Sequence, residues 1–140
     1  MRVGIVGYSA SNFDHKKAND LIENVFSFIE KEFSKDNLTL VGGYTDLGIN
    51  SIAYRIAAEK GWATVGIACE KAHEYELYPV DRAFIAGEDW GDESFLFLDN
   101  IDILVRVGGG KQSLEETEMA KKLGLNVYEY DLPMLETECV

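Results

Sequence analysis

Residues 103–116 read ILVRVGGGKQSLEE, and this stretch decides the fold class of the chain. The apolar, β-branched run 103–107 is typical of a buried strand. It passes directly into the glycines 108–110 and then into a predicted helix, 113–123, which Gly124 ends. A strand, a glycine turn and a helix in this order make up the first part of a βαβ unit.

The same order recurs through the rest of the chain. Apolar runs begin at Val3, Thr39 and Ala63, and the first two lead through glycine turns into stretches with helical spacing of apolar residues. Asp14 is expected to cap the first helix. This alternation predicts an α/β fold: a Rossmann-like, doubly wound, mostly parallel sheet of about five strands with helices on both faces.

We predict one domain over residues 1–140. The segment 69–92 has no readable pattern, and the tail after Pro133 is expected to be loosely tethered. A chain of 140 residues with 46% hydrophobic content matches the size of a single domain.

Charge and cysteine usage exclude several classes of function. The chain has 25 acidic and 13 basic residues, a net charge of −12 that opposes general binding to nucleic acid or to anionic membranes. No apolar run approaches the roughly 20 residues of a membrane span. Cys69 and Cys139 are far apart and outside any metal-site spacing, so we expect a cytoplasmic protein that requires no metal.

Glycine and small polar residues follow three of the predicted strands. In a doubly wound sheet the carboxyl ends of the strands share one edge, where ligands bind. Glycine lets a ligand approach the backbone closely, and the free amides of the following helix attract an anion. We therefore expect a phosphate-bearing, nucleotide-like ligand, although each single turn is also explained as structure alone.

The candidate binding residues are Gly7, Tyr8, Ser9 and Ser11 in the first turn; Gly42, Gly43, Tyr44, Thr45, Asp46 and Asn50 in the second; and Gly108, Gly109, Gly110, Lys111, Gln112 and Ser113 in the third.

The third turn also holds the candidate catalytic residue. Ser113 and Glu116 have the S-x-x-E spacing of a capping box, in which the serine accepts a backbone hydrogen bond and the glutamate reaches back. The first turn of a helix capped in this way still faces the sheet edge where ligands bind, and Glu116 faces the same opening. Glu116 is therefore the best candidate for a catalytic carboxylate.

Several aromatic residues are candidates for stacking on a base. Tyr8 and Tyr44 are the better candidates because each follows a glycine turn, whereas Tyr75, Tyr78 and Trp90 lie in or near the unreadable segment. The alternative for all of them is a core or interface position, which is more usual for aromatic side chains.

The remaining polar candidates have ordinary structural alternatives. The acidic group 88–93 is a candidate for holding Mg²⁺ beside a phosphate ligand, and the alternative is a solvated loop with a helix cap. His15 and His73 are isolated in sequence, so we expect surface or capping roles for them.

Three motifs together resemble the SLOG superfamily. They are VGIVGYS at 3–9, VGG followed by GIN within 41–50, and DILVRVGGGKQS followed by Glu116 within 102–116. This superfamily joins LOG-type, lysine-decarboxylase-like proteins with DprA/Smf-like and YpsA-like Rossmann domains. The resemblance spans residues 2–130 and implies a homodimer or higher oligomer that binds nucleotides or nucleotide-derived molecules at the glycine motifs.

LOG-type enzymes hydrolyse the N-glycosidic bond of nucleoside 5′-monophosphates with a PGGxGTxxE motif and an upstream arginine in an RKxxM segment. The resemblance places Ser113 at the motif threonine and Glu116 at its glutamate. It places Gly108 at the motif proline, and Glu93, with Ser94 and Phe97 following, at the arginine segment. A carboxylate in place of a guanidinium repels a phosphate instead of clamping it.

The sequence therefore favours a non-catalytic or weakly catalytic domain that binds a nucleotide-like small molecule. One alternative is a LOG-type phosphoribohydrolase that uses Glu116. Another is a protein-interaction module in which the glycine turns are scaffolding and the acidic surface meets a partner.

Overall fold

The computed structural model describes residues 1–10, 12–33 and 36–135. The strands are β1 (Arg2–Gly7), β2 (Thr39–Gly42), β3 (Ala63–Ala68), β4 (Arg82–Ile85), β5 (Ile103–Val107) and β6 (Asn126–Tyr130). The helices are α1 (His15–Glu32), α2 (Gly48–Glu59), α3 (Ser94–Asp99) and α4 (Lys111–Lys122), and a short 3-10 helix covers Glu70–Glu74.

The strands form one parallel sheet in the order β4-β3-β2-β1-β5-β6. This confirms the predicted Rossmann-like α/β fold, with six strands where about five were expected. The additional strand is β4, which pairs with β3 at the sheet edge inside the segment that had no readable pattern. Arg82, Ala83 and Phe84 are exposed in β4, so this strand lacks the continuous apolar run that marks a buried one.

Helices cover both faces of the sheet, as the sequence predicts. On one face, Ile22 and Phe26 of α1 and Ile52 of α2 share an apolar core with Val3 and Ile5 of β1. The periodicity of α1 produces this packing, because its buried residues recur every three or four positions.

The opposite face has its own, smaller core. There Phe97 and Leu98 of α3 and Ala120 of α4 pack against Val6 and Leu104. Side chains in a strand alternate between faces, so β1 supplies both cores.

Asp14 caps α1 as predicted. Its Oδ1 accepts a hydrogen bond from the Lys17 amide at 3.1 Å. This bond satisfies one of the amides that the first turn of a helix leaves without an intrahelical partner.

The order in which strands are added to the sheet changes side at β1. Strands β2, β3 and β4 extend to one side of β1, and β5 and β6 extend to the other. Gly7 at the end of β1 lies opposite Val107 at the end of β5, so the glycine turns after these strands are neighbours. This is the switch point, where ligands bind in doubly wound sheets.

The C-terminal segment returns to the loop after β1. Met134 forms a bridge with Phe13, and the Leu135 amide donates to the carbonyl of Asn12 at 2.7 Å. These residues belong to the segment predicted to be loosely tethered, and the rest of that segment, 136–140, lies outside the described residues. Within the described ranges, no helix combines the length and apolar character needed to cross a membrane.

Candidate functional site

A cleft of about 500 Å³ opens at the carboxyl ends of β1, β2 and β3, beside the first turn of α4. Its volume lies within the range of small-molecule sites. Eleven of the predicted site residues line the cleft: Gly7, Ser9, Gly43, Tyr44, Thr45, Asn50, Gly110, Lys111, Gln112, Ser113 and Glu116.

Five predicted binding residues do not line the cleft: Tyr8, Gly42, Asp46, Gly108 and Gly109. A sixth, Ser11, lies outside the described residues. Two of the five, Tyr8 and Asp46, form hydrogen bonds within the protein through their side chains. The Tyr8 hydroxyl donates to the carbonyl of Leu132 at 2.6 Å, and Asp46 accepts a hydrogen bond from the hydroxyl of Ser51.

Gly108 is required for packing. Its φ is +62°, and a Cβ built on it would lie 2.2 Å from Cε2 of the Tyr8 ring. The carbonyl of Gly108 accepts a hydrogen bond from Nη1 of Arg106 at 2.6 Å, and Nη2 of the same arginine binds Asp131 at 2.9 Å. The ring of Tyr8 and the buried guanidinium of Arg106 thus hold the glycine turn after β5 in place.

Helix α4 begins at Lys111, so the predicted start at Ser113 is wrong, and so is the predicted capping box. Gly110 is the N-cap, and among the described residues no side chain caps the helix. The Ser113 hydroxyl instead donates to the carbonyl of Gly7 at 3.1 Å, which ties α4 to the end of β1. Since no side chain in the described ranges caps this end, the first-turn amides of α4 lie at the cleft wall without a side-chain acceptor among those residues.

Two glutamates lie together beside this turn. Glu93, just before α3, is 5% exposed and Glu116, in α4, is 6% exposed. Nε2 of Gln112 donates to Oε1 of Glu93 at 2.7 Å. The Gln112 side chain also acts on the neighbouring Glu116, whose pKa it lowers.

Burial raises the pKa of Glu116 to about 7. Hydrogen bonds from Ser94 and Gln112 act in the opposite direction, while repulsion from Glu93 raises the pKa further. A buried carboxyl group that titrates near neutrality in a cleft is suited to exchange a proton or to donate a hydrogen bond to a ligand.

Oε2 of Glu93 is the buried side-chain polar atom that stands out, since among the described residues no other lacks a hydrogen-bond partner. The sequence pointed to Glu93 as the replacement for an arginine and as one of the acidic group 88–93, not as a buried residue of the cleft wall. No local pattern marks its burial, because the long segment before it has no apolar periodicity.

Two aromatic residues that ranked low in the sequence line the mouth of the cleft. Tyr75 and Trp90 are 47% and 45% exposed, and their ring centroids lie 5.9 Å apart. Tyr44 lines the same cleft, with His73 edge-on to its ring. These rings are planar and partly exposed to solvent, and a heterocyclic ligand can stack on such surfaces.

Cationic side chains in the cleft wall are few. Among the described residues, the lining includes Lys111 but no arginine. Arg106 points to Glu129 and Asp131, and Arg82 is exposed on the edge strand. Neither arginine takes the place of the guanidinium expected from LOG-type enzymes.

The acidic group 88–93 forms a folded loop. Oδ2 of Asp92 accepts from the amides of Glu88 and Asp89 at 3.1 and 3.0 Å, and Asp89 pairs with Lys71 at 2.9 Å. In the part of the chain that is described, no three His, Cys, Asp or Glu side chains are grouped to hold a metal ion. The association of Mg²⁺ with a phosphate ligand stays a prediction.

The parallel sheet, with helices on both faces and a ligand-sized cleft at its switch point, defines a Rossmann-like α/β domain. The chain belongs to the SLOG cluster4 family, whose sequence profile matches residues 1–138. This confirms the resemblance to the SLOG superfamily.

Solved structures share the fold. The X-ray structure of TM1055, a structural genomics target, is 25% identical with a TM-score of 0.71, covering 90% of this chain and 71% of that one. Two structures of the molybdenum cofactor carrier protein from Chlamydomonas reinhardtii are 21% identical, with TM-scores of 0.71 and 0.72. They cover 91% and 92% of this chain and 74% and 75% of theirs. Among curated protein sequences, none matches significantly.

Proposed function

We propose that this chain binds a nucleotide or a nucleotide-derived small molecule in the cleft and has little or no catalytic activity. The observation that carries the proposal is the first turn of α4, which no described side chain caps and whose residues Gly110 to Ser113 line the cleft. The amides and the positive dipole end of such a turn bind phosphate or another anionic group. The aromatic mouth of Tyr75 and Trp90 suits the planar part of the same ligand.

The fold neighbours support a binding role. The carrier proteins from Chlamydomonas reinhardtii are named for the molybdenum cofactor, and their fold is the fold of this chain. A carrier needs a cleft that holds its ligand without reacting with it. The cofactor of those proteins therefore belongs, with nucleotides, among the ligands to be tested.

Adding nucleotides is expected to stabilise the protein against heat. A ligand at 100 times its dissociation constant adds about 2.7 kcal/mol to the free energy of unfolding. The measurement is thermal denaturation against nucleoside mono- and diphosphates and the molybdenum cofactor. Lys111→Glu should weaken binding of the phosphorylated ligands roughly tenfold, because it places a negative charge at the first turn of α4, where the phosphate is expected to bind.

Lys122→Glu is the matched control, because it makes the same change of charge on an exposed residue at the far end of α4. Equal weakening by both variants would show a general effect of net charge instead of a site at the first turn. Absence of any shift across the panel would favour the protein-interaction alternative.

We expect no release of free base when the protein is incubated with nucleoside 5′-monophosphates. Glu116 lies in the cleft, but Glu93 occupies the neighbourhood in which a LOG-type enzyme has its arginine, so no guanidinium holds the phosphate. Chromatography of the incubation mixture measures the base directly. Release at the rate of a LOG-type glycosidase, abolished by Glu116→Gln, would establish the hydrolase alternative.

A further inference from the structure

Two carboxyl groups lie in the wall of the cleft that we propose as an anion site. Glu93 and Glu116 both line the cleft, and both side chains are almost fully buried. They share this wall with Lys111, Gln112 and Ser113 of the first turn of α4. Water screens buried charges poorly, so two carboxylates here repel each other and an anion in the same cleft adds a third negative charge. Tight binding of an anion therefore requires the cleft to lose some of its own negative charge.

Few cations are placed to offset these carboxyl groups. Among the described residues that line the cleft, Lys111 is the only cationic one, and its side chain is 91% exposed and lies 3.9 Å from Glu115. Arg106 of β5 and Lys121 of α4 both bind Glu129 of β6, at 3.2 and 2.8 Å. These two cations thus neutralise a carboxyl group outside the cleft, and a proton is the simplest way to reduce the charge inside it.

The surroundings of the two glutamates differ, and they favour Glu116 as the group that takes the proton. Oε1 of Glu93 accepts hydrogen bonds from Nε2 of Gln112 at 2.7 Å and from the Gly91 amide at 3.4 Å, as a carboxylate does. In the described part of the chain no donor meets its other oxygen, so much of its negative charge is left to act on its neighbour. Burial raises the pKa of Glu116 to about 7, and repulsion from Glu93 raises it further.

We propose that the cleft takes up an anionic ligand together with a proton, which Glu116 holds. This inference rests on the proposed function and concerns the regulation of the same site. The Glu116 carboxylate accepts the proton from the solvent as the anion enters, and no other bond forms or breaks. The affinity for the anion therefore rises as the pH falls from 8 to 6, and a rise in pH favours release.

Sulfate is the probe for this coupling, because its charge is constant between pH 6 and 8, whereas phosphate esters titrate near pH 6. Carbon-13 NMR of the Glu116 carboxyl carbon follows its protonation with and without saturating sulfate. We expect bound sulfate to raise the midpoint of this titration by about one pH unit. By linkage, sulfate should then bind the wild-type protein roughly fivefold to tenfold more tightly at pH 6 than at pH 8.

Glu116→Gln has a neutral side chain at every pH. This variant should bind sulfate at pH 8 about as tightly as the wild-type protein binds it at pH 6, with little change between the two pH values. Glu118→Gln is the matched control, because it removes the same charge from an exposed residue of α4 that pairs with Lys121. The control should keep the pH dependence of the wild-type protein.

The outcomes separate this inference from the proposed function. A Glu116 midpoint that bound sulfate leaves unchanged overturns the inference and leaves the anion site intact, and so does the same pH dependence in Glu116→Gln and wild type. An equal gain in affinity in both glutamine variants assigns the effect to net charge and overturns the role of Glu116. Sulfate that binds neither the wild-type protein nor Glu116→Gln at either pH overturns the anion site and the inference with it.

Discussion

Glu116→Gln is expected to raise the free energy of unfolding by about 3 kcal/mol at pH 8 and to change it little at pH 4. Burial raises the pKa of the Glu116 carboxyl group to about 7 in the folded state, from the 4.5 that is ordinary for a glutamate. Below pH 4.5 Glu116 is protonated in both the folded and the unfolded protein, so its burial does not lower the free energy of unfolding of the wild type. As the pH rises from 4.5 through 7, the unfolded state loses its proton first, so the folded state is progressively destabilised.

Glutamine mimics the protonated carboxyl group and does not titrate, so the variant should lack this loss. Urea denaturation at a series of pH values measures it, and the difference between variant and wild type should grow mainly between pH 4.5 and 7. Glu115→Gln is the control, because Glu115 is an exposed neighbour on α4 and its removal makes the same change in net charge. If the two variants show the same pH dependence, burial of Glu116 is not the cause.

This expected gain in stability has a functional meaning. An ionisable group that destabilises the ligand-free protein at neutral pH is typical of a functional site, where the same group contributes to binding or catalysis. Glu116→Gln should therefore make a protein that is more stable without ligand, and the ligands named above will show whether Glu116 also contributes to binding.

Gly48→Ala is expected to lower the free energy of unfolding by about 3 kcal/mol or more. Gly48 begins α2 with a φ of +54°, and a Cβ there would lie 2.0 Å from the carbonyl oxygen of Tyr8. That oxygen accepts a hydrogen bond from the Ile49 amide at 2.9 Å. The methyl group would thus strain its own backbone and also separate α2 from the loop after β1.

Gly61→Ala separates the two causes. Gly61 also has a positive φ, +78°, but a Cβ there meets no atom within 4 Å. This control should cost only the backbone strain, about 1–2 kcal/mol. Urea denaturation of both variants gives the comparison, and equal losses would mean that the contact between Gly48 and Tyr8 contributes nothing.

Local patterns predicted the elements that bury one continuous face. The apolar spacing of α1, the cap at Asp14 and the run before the glycines 108–110 all depend on near neighbours in the chain. The edge strand β4 escaped prediction because three of its four residues are exposed. An exposed strand is held mainly by backbone hydrogen bonds to its neighbour, which leave little trace in side-chain hydrophobicity.

The sequence predicted the same role, ligand binding, for all of the turn glycines, and the structure shows that their roles differ. Gly110 lines the cleft at the start of α4, whereas Gly108 accommodates the ring of Tyr8. Ser113 has the spacing of a cap, but its hydroxyl reaches Gly7 on another strand. Sequence spacing describes what a residue can do locally and does not include competition from a partner that is distant in the chain.

The sequence by itself determined the fold, the edge of the sheet that carries the cleft and Glu116 as its notable carboxyl group. Periodicity, turn residues and the right-handed connection of parallel strands are sufficient for these, since each follows from local chemistry or from general rules of topology. Only the tertiary structure placed Glu93 beside Glu116 and the rings of Tyr75 and Trp90 at the mouth of the cleft. These residues meet because the loop after β4 and the 3-10 helix after β3 fold over the same sheet edge, and no short-range pattern specifies that meeting.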